Sequence, residues 1–249
     1  MFLEANIFQP LIDVFNTVIT WLHDDVGLGW GLAIVALTFM SRAVVLPLTL
    51  RSMHGMREMQ ALQPYIKELQ EKYKDDKQRM QREQMALFQE HGVNPIASCL
   101  PLILQIPVFI ALYGLLRSAE FKAEVIASGD PGFWGVPDLT AHPHGSTTIV
   151  LVILAAVTLL ASTLVTPTPT TGGASQRYIM AFAFAGIIVI FIPNAPAGIA
   201  VYWIATSIWQ LGQQFVIRLV WPLPPTPTPQ EARAAKPPPP PPRKRKRRR

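Results

Sequence analysis

In 249 residues this chain is 50% hydrophobic and only 15% charged, and its mean hydropathy of +0.27 fits a multi-span membrane protein better than a soluble domain. A single cysteine, Cys99, excludes a disulfide framework or a thiolate metal centre within one chain. The net charge of +6 is concentrated rather than spread, and no G-x-x-x-x-G-K-[ST], G-x-S-x-G, H-E-x-x-H or dinucleotide fingerprint occurs, so neither enzyme chemistry nor a cofactor is expected.

In chain order, residues 1–25 come first. Leu3, Ile7, Leu11, Val14, Val18 and Leu22 recur every three or four residues, opposite Gln9, Asp13, Asn16, Thr17, Thr20 and Asp24. This spacing predicts an amphipathic helix lying in the outer membrane interface. A cleaved signal peptide would need a basic n-region, which this segment lacks.

The first apolar run, 28–50, is long enough to span a bilayer and contains Arg42 near its middle. A guanidinium at that depth costs roughly 2.5–3.5 kcal/mol and normally faces a wet cavity or a partner. The polar end at Leu50–Arg51 is eight residues away, on the order of 12 Å of helix. That is a long reach for a snorkelling side chain, the competing explanation. Arg42 is therefore the leading candidate for a functional charge.

Residues 51–93 read as a helical hairpin. Met59, Leu62, Ile66, Leu69 and Tyr73 form a heptad seam, the turn Lys74–Lys77 is charged, and Met80, Met85, Leu87 and Phe88 supply a second apolar set. Four further runs, at about 95–116, 148–165, 178–193 and 197–220, complete five expected spans. The fourth is short, roughly 24 Å of helix against a hydrocarbon core of about 30 Å.

Charge sets the expected orientation. Residues 1–27 carry no lysine or arginine, whereas 51–93 hold Arg51, Arg57, Lys67, Lys72, Lys74, Lys77, Arg79 and Arg82. The 118–147 loop has only Lys122 among them, Arg177 marks the third-to-fourth connection, and the chain ends in a basic run. The alternation predicts an outside N-terminus and a cytoplasmic hairpin and tail. Residues 222–242 hold eleven of the 24 prolines, so 222–249 reads as an extended stalk. Its end, Arg243, Lys244, Arg245, Lys246, Arg247, Arg248 and Arg249, suits ribosomal RNA phosphates, anionic lipid or the fixing of topology.

Polar side chains interrupt three of the spans. Thr38, Arg42 and Thr49 share a face of the first; Ser98 and Gln105 align in the second; Trp203, Thr206, Ser207, Gln210, Gln213 and Gln214 form a stripe on the fifth. One such stripe fits ordinary helix–helix hydrogen bonding. Three, around one arginine, fit a shared hydrated concavity.

With these residues in view, a resemblance is plain. The string LQPYIKELQEKYKDDKQRMQREQMALFQEHGVNPIASCLPLILQIPVFIALYGLL (Leu62–Leu116), the preceding SRAVVLPLTL and the later AGIAVYWIATSIWQLGQQF (Ala197–Phe215) resemble the YidC-type membrane protein insertases, over roughly 25–220. The resemblance implies an all-α polytopic core, 26–221, with an arginine in a groove open to cytoplasm and lipid. That arginine matches Arg42; its groove neighbours match Thr38, Gln105 and Trp203, and substrate-contacting positions match Ile106, Phe109 and Tyr202. It also implies nascent membrane proteins as substrates, the lipid bilayer as surroundings, the bacterial inner membrane as location, and the ribosome and a Sec-type translocon as candidate partners. The large extracytoplasmic domain of many Gram-negative members has no counterpart here, and the link Pro193-Asn194-Ala195-Pro196 looks expanded.

Two other functions fit part of the pattern. A small-anion channel or transporter would use Arg42 as its binding charge, but no inverted repeat is visible and the hairpin would have no purpose. A ribosome-tethering scaffold would use the basic tail, leaving the polar stripes unexplained.

Overall fold

The computed structural model describes residues 7–93, 100–166 and 173–220. Nine α-helices form among them: α1 (Gln9–Asp24), α2 (Trp30–Ala61), α3 (Gln63–Lys72), α4 (Lys77–Glu90), α5 (Leu100–Arg117), α6 (Ala119–Ala127), α7 (Gly145–Val165), α8 (Gly173–Phe191) and α9 (Ala197–Val220). A short 3₁₀ turn, Ile192–Asn194, links α8 to α9. No β-strand forms among the described residues; a single bridge pairs Phe133 with Val136.

All five apolar runs are helical, but they are not equally apolar. Among the described residues two helices are long and apolar enough to cross a bilayer, Trp30–Met53 and Gly145–Val165. A third counts if Ile103–Arg117 and Ala119–Ala127, bent by 62°, act as one span. Helix α9 has the length, at 24 residues, but its tryptophans, glutamines and hydroxyls dilute it. The 118–147 segment, expected as a loop, contains α6, started by Ser118, whose Oγ accepts from Phe121 N at 3.2 Å.

The first span does not stop at Leu50. Helix α2 runs for 32 residues, about 48 Å at 1.5 Å per residue, because the stretch after Leu50 offers only Gly55 as a weak breaker. Pro47 lies inside it and leaves the Ala43 carbonyl without its usual donor. Pro64, in the first turn of α3, marks the real break. The predicted heptad seam therefore straddles two helices. Met59, Leu62 and Ile66 are buried with Phe88 and Val93, while Tyr65 and Leu87 pack alongside. Met85 stays exposed, so the second apolar set contributes mainly through Phe88.

Helix α1 packs on α2 and α5. Its buried face is Phe15, Ile19 and Leu22, with Leu11, Ile12 and Val18 partly buried; Ile7 and Val14, both in the predicted stripe, remain exposed with Trp21. The helix thus has two apolar edges, one docked on protein and one a heptad line of Ile7, Val14 and Trp21. The expected amphipathic helix forms and is tied to the core, and Thr20 Oγ1 donates to Glu124 Oε1 of α6 at 3.3 Å.

Packing is concentrated at one end. On α2, Trp30, Ala33, Ile34, Leu37 and Thr38 are buried, but no residue from Met40 to Leu50 is. On α5 the order is reversed in sequence: Ala111, Leu112, Leu115 and Leu116 are buried, while Ile103 and Ile106 are exposed. Helix α9, from Ala197 to Tyr202, completes the closed end against both. Gly198 lets this happen, since a Cβ there would stand 3.0–3.1 Å from Leu116 and Ile34 side chains. Packing on α2 lapses from Met40 to Leu50 and resumes at Ser52, Met53 and Met56. Helix α7 packs on both α8 and α9, and α7 and α8 turn Ile149, Val150, Ile153, Ile179, Phe182 and Ile190 outward, as lipid-facing helices do.

A loop seals the closed end. Leu139 O and Ala141 O accept from Gly198 N (2.8 Å) and Ala197 N (2.9 Å), satisfying donors at the start of α9. Asp138 Oδ1 holds the loop by accepting from Thr140 N and Thr140 Oγ1, both at 2.7 Å. Trp30 Nε1 donates to Ser128 Oγ at 2.8 Å, and its ring lies between stacked His23 and edge-on Phe121. Within the loop, Trp134 and Gly135 have φ of 47° and 81°; an L-residue there costs roughly 1–2 kcal/mol.

Phe133 packs so closely on Gly31 that any Cβ at position 31 would overlap its side chain. Gly31→Ala should cost about 1–3 kcal/mol through overpacking, read as a lowered thermal midpoint in detergent. Gly29→Ala, which meets only Asp130 Oδ2 at 3.6 Å, should lie near the parent.

Candidate functional site: an arginine recess between α2 and α5

Where packing lapses, a recess opens. Ser41, Arg42, Val45 and Thr49 of α2 face Leu104, Gln105 and Val108 of α5 across a small space of about 10 Å³, room for about one water. The i, i+4, i+8 spacing of Ser41, Val45 and Thr49 places them along one side of α2, with Arg42 beside them. Pro47 and Pro107 lie in the two walls.

Arg42 is half-buried, and among the described residues no carboxylate pairs with it. The polar residues that line the recess with it are Ser41, Thr49 and Gln105, and Tyr202 of α9 is within electrostatic range. Tyr202 is fully buried; its Oη and the Thr206 Oγ1 one turn on have no hydrogen-bond partner of good geometry. The neighbouring hydroxyls are already engaged as donors. Ser41 Oγ donates to Thr38 O at 2.8 Å and Thr49 Oγ1 to Val45 O at 3.0 Å. Their oxygens remain acceptors, so the recess offers one fixed cation, an amide at Gln105 and hydroxyl oxygens. Its chemistry suits the binding of an anion or of polar backbone.

The predicted site residues separate into groups. Arg42 and Gln105 do meet across the recess, whereas Tyr202 of α9 is buried and does not line it. Thr38 does not line it: it is buried in the last packed turn, with Oγ1 donating to Ile34 O at 2.7 Å. Phe109 and Trp203 instead form an aromatic cluster with Tyr113 and Phe191, at centroid distances of 5.6–6.1 Å. Ile106 is 51% exposed, beside the recess on the outward side of α5.

The α9 stripe also divides. Gln213 accepts from Trp209 Nε1 at 3.0 Å and donates Nε2 to Met53 Sδ at 3.6 Å, joining α9 to the lower part of α2. Gln210 is half-buried and Gln214 buried, and neither lines the recess. Ser98 and the basic run Arg243–Arg249 lie outside the described residues. Ser41, Val45, Leu104 and Val108 are not singled out by the sequence; their signal is that Val45 and Ser41 lie four and eight residues before Thr49, while Leu104 adjoins Gln105 and Val108 follows it by three.

A cation in a recess between apolar helices, closed at one end, narrows the identity. Residues 21–222 match the family described as 60Kd inner membrane protein. This chain belongs to that family. A protein of Campylobacter jejuni named membrane protein insertase YidC is 37% identical over 216 residues, covering 86% of this chain and 38% of its own length. One of the same name from Chlorobium luteolum is 35% identical over 210 residues, 80% of this chain and 34% of its own. The Streptomyces avermitilis protein of that name is 33% identical over 252 residues, 86% of this chain and 59% of its own. The chain thus spans about a third to three-fifths of the length of these relatives.

The recess predicts a sharp gradient of water access along α2. In a Cys99→Ser background, Ser41→Cys should react with a membrane-impermeant maleimide applied from the hairpin side. Leu37→Cys, one turn away in the packed end, should stay unlabelled; equal labelling of both would contradict a closed end.

Proposed function

We propose that this chain is a membrane protein insertase. It receives nascent membrane proteins in the Arg42 recess and releases them laterally into the bilayer, without nucleotide hydrolysis. The observation that carries this reading is the half-buried Arg42, free of a described carboxylate, in a recess whose far end is packed shut. The names of the relatives point the same way.

The topology we propose has five spans, α2, α5, α7, α8 and α9, with the N-terminus outside and the hairpin and tail in the cytoplasm. Residues 1–25 form the outer helix, 26–221 the insertase core and 222–249 the basic tail. The lysine and arginine distribution supports this arrangement. Arg218, whose guanidinium donates to Val165 O at 3.0 Å at the C-terminal end of α7, puts a further positive charge on the hairpin side.

The mechanism follows from electrostatics and solvation. A short acidic segment of a substrate leaves water for the recess, where Arg42 replaces part of its hydration. At about 4 Å and an effective dielectric near 20, that attraction is on the order of 4 kcal/mol, against about 1 in bulk water. Gln105 and the hydroxyls of Ser41 and Thr49 take over polar contacts, lowering the cost of bringing backbone into hydrocarbon. Gln210 and Gln214 extend the polar path along α9, Thr38 backs Arg42, and the Tyr202 hydroxyl polarises the pocket. The apolar part of the substrate slides past Ile106, Phe109 and Trp203 into lipid, driven by about 25 cal/mol per Å² of apolar surface removed from water. Membrane potential assists an acidic tail moving outward. The basic tail holds the ribosome close, and a Sec-type translocon shares larger substrates.

The test is Arg42→Ala beside Arg42→Lys in reconstituted vesicles, scoring insertion of a small substrate with an acidic N-terminal tail. Alanine should abolish most insertion, and lysine, which keeps the charge but not the fork, should retain most of it. Insertion by the alanine variant at the parent rate would sink the electrostatic role. Deleting Arg243–Arg249 should weaken ribosome co-sedimentation strongly at low salt and little at high salt; a salt-independent loss would argue against phosphate contacts.

A further inference from the structure

The loop that seals the closed end carries a residue the fold does not require. Trp134 is 94% exposed at the tip of the two-residue turn closed by the Phe133–Val136 bridge, with both bridge hydrogen bonds at 2.9 Å. Its φ of 47° and that of Gly135 at 81° are the positive pair that a type I′ hairpin turn needs. Asparagine or glycine suits the first of those positions; a large aromatic does not. The ring touches no core residue and meets only its neighbour Phe133, stacked at 6.0 Å and 13°. Neither turn geometry nor packing accounts for a tryptophan here.

Its position does. Phe133 rests on Gly31, in the first turn of one spanning helix, and the loop runs directly into Gly145, the first residue of another. Trp134 therefore stands at the level where two apolar helices begin, the depth at which tryptophan rings prefer to sit in a bilayer. We infer that Trp134 is an outer-leaflet anchor, inserting its ring among lipid headgroups and glycerol esters and so holding the sealing loop at the membrane surface. Residues 128–144 contain Asp130 and Asp138 and no lysine or arginine. The binding is aromatic partitioning, not attraction to anionic lipid, and it rests on the proposed function above in needing the chain to be embedded with the sealing loop on the outer side.

The substitution that tests this is favourable to the turn. Trp134→Asn keeps, or improves, the type I′ geometry while removing the ring, so misfolding does not confuse the outcome. Parent and variant are reconstituted in phosphatidylcholine vesicles, and the difference in tryptophan emission isolates residue 134. The five tryptophans left in the variant, of six in the chain, report embedding itself through quenching by bromine on the lipid chains. The expected difference spectrum is blue-shifted, quenched more by bromine near the glycerol than at the chain ends, and unchanged when phosphatidylglycerol is added. A water-like spectrum quenched by acrylamide alone would overturn the anchor. So would a blue-shifted one insensitive to bromine, which would mean burial against another protein, or quenching that appears only with anionic lipid.

Discussion

The structure turns on a charge, Arg42, that no carboxylate among the described residues neutralises, placed just past the turn where α2 leaves the packed end. Helix α2 packs through Thr38, and Arg42 comes one turn later. A guanidinium within the packed end would face the full desolvation penalty of a buried ion without a carboxylate to offset it. Placed one turn beyond, it keeps access to solvent and still sits between apolar walls. The closed end therefore makes the recess: Trp30, Ile34, Leu112, Leu116 and Ile199 exclude water from one half, which leaves the other half as the only place for the charge to be hydrated.

The closed end is stabilised by side chains that look unremarkable in sequence. Gly198 permits the α9 backbone to approach Leu116 and Ile34, and carbonyls of the sealing loop satisfy donors at the start of α9. These contacts keep the first turns of α2, α7 and α9 in register with one loop. Across the same molecule, α7 and α8 do the opposite, presenting large apolar residues outward.

Much of this was legible beforehand. The apolar runs located all five long helices, because a stretch of that length and composition has few alternatives. Arg42 and Gln105 were found by their cost: each is a polar group in an apolar segment, and both meet in the recess. What failed was the inference from shared helical face to shared site. Thr38 spends its hydroxyl on Ile34 O and Gln213 reaches Met53, so residues on one stripe serve different ends. Boundaries failed for a related reason. The change from apolar to charged composition at Leu50 marks a change of surroundings, whereas a helix ends only where backbone geometry compels it, here at Pro64. The docked edge of α1 is not legible in the sequence, because two apolar edges lie side by side on a short helix and periodicity does not say which one meets protein.

The continuity of α2 has a mechanical consequence. The wall that bears Arg42 and the helix that leads into the α3–α4 pair are one rod, with no loop between them to absorb motion. A load applied at the hairpin end of that rod reaches the guanidinium as a tilt, and it passes Pro47, where the ladder lacks a rung, on the way.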